Sequence, residues 1–130
     1  MQRDSVTKEF SKVFDILKPA MATQARRLAV KTDSSKMYEL VTKSPSPYPQ
    51  HKGQPMWFGA VKVGKAYVSY HLVALYMNPK LTKTMSPALK KHMQGKACFN
   101  FKTAPAADVL AELKRFTAAA ADDFSKQKLL

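Results

Sequence analysis

The chain has 130 residues, which fits one domain and leaves no room for two. A hydrophobic fraction of 45% and a charged fraction of 24% exclude a disordered body and allow a real core. The single cysteine, Cys98, excludes an internal disulfide, and the formal net charge of +13 points to negatively charged visitors.

The charge is unevenly placed. All carboxylates lie in two flanks: Asp4, Glu9, Asp15, Asp33 and Glu39, then Asp108, Glu112, Asp122 and Asp123. Between Glu39 and Asp108 the charges are Lys43, Lys52, Lys62, Lys65, Lys80, Lys83, Lys90, Lys91, Lys96 and Lys102. The only arginines are Arg3, Arg26, Arg27 and Arg115. Lysine acts as a point charge, whereas arginine offers the planar fork that reads guanine or grips phosphate. The excess therefore favours loose anion attraction over sequence-specific nucleic-acid readout.

Taken in chain order, Val6, Phe10, Val13, Phe14 and Leu17 form one helical stripe, which Asp4 or Ser5 can cap. Pro19 is expected to end or kink that helix, with a second helical piece through Met21, Ala25 and Leu28. Leu28 to Thr32 and Lys36 to Thr42 read as strands. Ser44 to Pro55 carries four prolines and reads as a long surface loop without regular structure. Met56 to Val63 and Ala66 to Val73 read as a hairpin turning through Gly64 and Lys65. In its second strand Val68, Tyr70 and Leu72 share one face, and Tyr67, Ser69 and His71 the other. Asn78-Pro79 and Ser86-Pro87 are helix starts, the second running through Leu89 and Met93 to Gly95. Ala97 to Lys102 is a strand with Phe99 and Phe101 on one face, Cys98 and Asn100 on the other. Pro105 to about Ala120 is an amphipathic helix with Leu110, Leu113 and Phe116 inward. Residues 1–121 are thus one domain, and 122–130 are expected to be a frayed tail. The fold class is α+β: about five antiparallel strands flanked by N- and C-terminal helices.

Several of these segments resemble the YdhG-like domain, catalogued as a domain of unknown function. They are Tyr48, Pro49, Lys52 and Gly53; Trp57-Phe58-Gly59; Tyr67 to Leu72; and Asn78-Pro79. The most specific are Ser86-Pro87, Leu89-Lys90-Lys91 and Met93 to Lys96, running into Cys98 to Phe101. The resemblance spans roughly Val6 to Thr117 and implies a twisted antiparallel sheet with no established enzymatic activity. Some of the wider family are described as frataxin-like iron chaperones, so iron is implied by this resemblance alone. Hard iron prefers oxygen ligands. This chain has no carboxylate in its centre, and Asp15, Glu39, Asp108 and Glu112 share no motif spacing.

Cys98 and His71 are the available nucleophile and base. The competing reading of Cys98 is a small buried residue. No two of His51, His71, His92 and Cys98 have a zinc-site spacing, so no metal site is expected. Gly95-Lys96 lacks the upstream glycine and following Ser or Thr of a P-loop and reads as a helix-closing glycine beside a solvated lysine. Tyr48, Trp57, Tyr67, Tyr70 and Tyr76 are read first as sheet packing and second as a stacking surface.

The expected working surface joins Tyr48, His51 and Lys52 of the loop and Trp57 of the strand after it with His71, Tyr76, Asn78, Lys96, Cys98 and Asn100. A non-enzymatic binding domain is expected, taking a small anionic or polar ligand or an acidic protein partner. The alternatives are non-specific nucleic-acid association and iron handling. Met1 to Lys12 lacks the apolar stretch of a signal peptide, and no segment reaches the roughly 20 apolar residues of a membrane span. A cytoplasmic monomer or homodimer, with no membrane partner, is expected.

Overall fold

A computed structural model of the chain describes residues 2–130, with side chains from Glu9 onward. The expected capping by Asp4 or Ser5 and the inward Val6 fall on side chains outside that range. Five strands form one antiparallel sheet in the order β1-β2-β3-β4-β5, so each strand pairs with its sequence neighbour. They are β1 (Ala29–Asp33), β2 (Met37–Pro45), β3 (Pro55–Val63), β4 (Val68–Leu72) and β5 (Cys98–Phe101). With α1 (Gln2–Ala22) and α4 (Ala107–Lys126) packed on the sheet, the fold is α+β. No described helix is long and apolar enough to cross a membrane.

The core lies between one sheet face and the two long helices. Period-two alternation aims Tyr38, Leu40, Val68, Tyr70, Leu72, Phe99 and Phe101 into it, and all are buried. Phe10, Val13, Phe14 and Leu17 of α1 meet them, as do Leu113, Phe116, Ala120 and Phe124 of α4. Phe58 packs edge-on against Phe124, with ring centroids 5.2 Å apart. The register shifts between Leu40 and Val41, opposite Gly59 and Trp57. That bulge keeps Phe58 and Val61 both inward and turns Trp57 to the opposite face, beside His71.

Several expectations need correcting. Pro19 does not end α1, which runs on to Ala22, because Ala20 and Met21 are fully buried and their packing outweighs one lost backbone bond. Only a 3-10 turn, Ala25–Arg27, follows. The proline-rich segment is not wholly irregular. β2 includes Pro45, β3 starts at Pro55, and Pro49–His51 forms a 3-10 turn. Proline is tolerated at these strand ends, where few ladder bonds are needed. β4 stops at Leu72 and the chain turns at once into α2 (Val73–Met77), which buries Ala74 and Leu75. Asn78 gives no side-chain cap to the 3-10 turn at Pro79–Thr84 and instead donates to Asp123 Oδ1 at 2.9 Å. The Ser86 cap forms as expected, but α3 (Pro87–Lys90) ends before Met93, which bridges to Phe99 beside β5. The C-terminal segment is packed rather than frayed: α4 continues to Lys126, Phe124 is fully buried and Leu129 is 4% exposed.

Candidate functional site

The sheet face opposite the helices carries the polar chemistry. Backbone register lines up Glu39, Ala60, His71 and Cys98 in one row across β2 to β5. The adjacent row is Met37, Lys62, Ser69 and Asn100. These alignments follow from strand alternation: the residues between them, Tyr38, Val61, Tyr70 and Phe99, are the core.

His71 Nε2 lies 2.9 Å from Ser69 Oγ and 4.0 Å from Cys98 Sγ. The Cys98 thiol donates to Asn100 Oδ1 at 3.3 Å. The Trp57 ring leans over His71 with centroids 5.7 Å apart. Burial pushes the His71 pKa below its ordinary value, and Lys62 adds to the fall. Burial also pushes the Cys98 pKa up. Both shifts favour neutral groups, which is the reverse of what a thiolate–imidazolium couple requires. Proximity alone therefore does not make this pair a nucleophile.

A cleft of about 360 Å³ opens beside these rows, under the turn between β3 and β4. Lys62, Lys65, Tyr67, Ser69, His71, Cys98 and Asn100 line it. A second lobe of about 530 Å³ shares Ala66, Tyr67 and Asn100 with the first. Its other walls are His92, Gln94, Lys102 and Thr103. The His92 ring is stacked on Phe101, with centroids 4.5 Å apart. Three lysines and no carboxylate line the two lobes. Among the described residues, none of those lysines forms an ion pair; the three ion pairs are Lys18–Asp33, Arg27–Asp122 and Arg115–Glu112.

Of the residues singled out in the sequence, His71, Cys98, Asn100 and Trp57 come together on this face. Tyr48, His51 and Lys52 do not join them. Their loop precedes β3, whereas Lys62 lies near its far end, about 25 Å away at ~3.3 Å per residue. There the Ser46 hydroxyl lies 2.6 Å from His51 Nδ1 and accepts from the Tyr48 amide at 3.1 Å, which braces the loop. Tyr76 and Lys96 form a separate contact, with the ammonium 5.9 Å from the ring centre. Asn78 is engaged with Asp123.

Tyr67, one of the aromatics of the second reading, lines both lobes, and Lys62, Lys65, Ser69, His92, Gln94 and Lys102 join it without belonging to the expected surface. The shared face of Tyr67, Ser69 and His71 was the available signal, and the turn that brings Lys65 over it was not visible. Three of the carboxylates are already engaged within the fold. Glu39 accepts from Thr32, Glu112 accepts from the Ser86 amide, and Asp123 accepts from Asn78 and Gln127. Among the described residues, no three His, Cys, Asp or Glu side chains gather as a metal site. The chain matches no protein-family model, no curated protein and no solved structure.

Proposed function

We propose that the protein is a non-enzymatic binding domain that holds a small anionic ligand in the cleft of its helix-free sheet face. The supporting observation is the lining: Lys62, Lys65 and Lys102 without one carboxylate. An anion entering the cleft meets three lysines and no lining carboxylate, with Glu39 the one acid in the neighbouring strand row. Ser69, His71 and Asn100 supply hydrogen bonds that orient it, and Tyr67 supplies an apolar wall.

Calorimetric titration with inorganic phosphate and with citrate tests this reading. Binding should occur at low salt, weaken as salt screens the lysines, and drop sharply in a K62E/K65E variant. Lys62 and Lys65 are exposed, so the variant should fold. The K52E variant, in the loop at the other end of β3 from Lys62, serves as the charge control and should bind nearly as the parent does. Absence of heat with either anion, or equal losses in the two variants, would remove the proposal. Mobility shift with a single-stranded oligonucleotide, unaffected by K62E/K65E, would point instead to diffuse phosphate-backbone binding.

A further inference from the structure

The two lobes are chemically different, and the difference specifies a ligand more narrowly than charge does. The first lobe offers Lys62 and Lys65 beside the Ser69 hydroxyl, a set suited to a phosphate group. The second offers the His92 ring, the Gln94 amide and Lys102, with the Tyr67 ring shared between the lobes. Asn100 stands at the divide and lines both. Its Oδ1 accepts from the Cys98 thiol, so its amide N–H groups are the donors it has for a ligand. The His92 ring is held in place by its stack on buried Phe101. A rigid aromatic surface beside side-chain amides is what a planar, hydrogen-bonding heterocycle requires. We infer that the cleft takes a nucleoside phosphate, with the phosphate in the Lys62–Lys65 lobe and the base against Tyr67, His92 and Gln94. This inference rests on the anion-binding reading of the same cleft.

Titration of the full chain with AMP, GMP, CMP and UMP, with adenosine, and with inorganic phosphate tests it. At least one nucleoside monophosphate should bind about tenfold or more tighter than inorganic phosphate or adenosine, because the two lobes contribute together. Q94L should weaken that nucleotide while leaving phosphate binding unchanged. K62Q/K65Q should weaken both. These residues are exposed, and circular dichroism of each variant checks that it is folded. If phosphate and citrate bind as tightly as every nucleotide, the inference fails while the anion site stands. Should none of the anions bind, the anion site and the inference fall together.

Discussion

Cys98 Sγ and His71 Nε2 stand 4.0 Å apart on neighbouring strands, yet each group is held in its neutral form. Burial raises the thiol pKa above its ordinary value, so the thiolate should appear only at alkaline pH. Reaction of Cys98 in the native protein with an aromatic disulfide reagent should be slow at neutral pH. Its rate should still be climbing in the alkaline range and change less than about twofold in His71→Ala. A rate already at plateau near neutral pH, and lost in His71→Ala, would show an activated thiolate.

A second polar contact lies inside the core. Thr117 Oγ1 donates to the Leu113 carbonyl at 2.7 Å, which uses its only proton. The Tyr70 hydroxyl must therefore be the donor in its bond to Thr117 Oγ1. Tyr70 and Thr117 are both fully buried, so the contact ties β4 to α4 without water. Thr117→Val strands the phenol donor and should cost about 1–3 kcal/mol, with Thr117→Ser costing less. Urea unfolding of both variants measures the difference. An unchanged midpoint for Thr117→Val would mean the phenol has found another acceptor.

Gly59 sits tightly between the β4 backbone and the Met21 side chain of α1. A Cβ there would lie 2.4 Å from the His71 carbonyl oxygen and 3.1 Å from Met21 Cε. The Met21 side chain can shift, but the β4 backbone cannot move without disturbing the strand that carries His71. Gly59→Ala should cost about 1–3 kcal/mol or more. It should also perturb the amide resonances of Ser69 to Leu72, as heteronuclear NMR would record. Stability and spectra like those of the parent would refute the close approach.

The last ten residues contribute to the core. Phe124 is fully buried against Phe58, and the Leu129 amide donates to the Phe124 carbonyl at 2.9 Å. Phe124→Ala should cost about 3–5 kcal/mol, and a chain ending before Asp122 should unfold more readily still. A truncated chain with the parent's melting temperature would restore the frayed-tail description.

Much of the architecture is written in local pattern. Alternation along Val68 to Leu72 and Cys98 to Phe101 assigned the inward and outward residues, because strand side chains alternate whatever lies beside them. The carboxylate-free centre, with its lysines, is likewise a property of the linear chain. Tertiary packing decided what local rules could not. It carried α1 through Pro19, because buried Ala20 and Met21 outweigh a missing amide. It extended α4 past Asp122, because Phe58 offered Phe124 a partner distant in sequence. It also chose which polar residues meet. Strand register placed Lys62, Ser69 and Asn100 in one row, while the length of β3 held Tyr48, His51 and Lys52 at the other end. Register depends on the bulge between β2 and β3 and on the turn between β3 and β4, features of paired strands that no single strand's pattern contains.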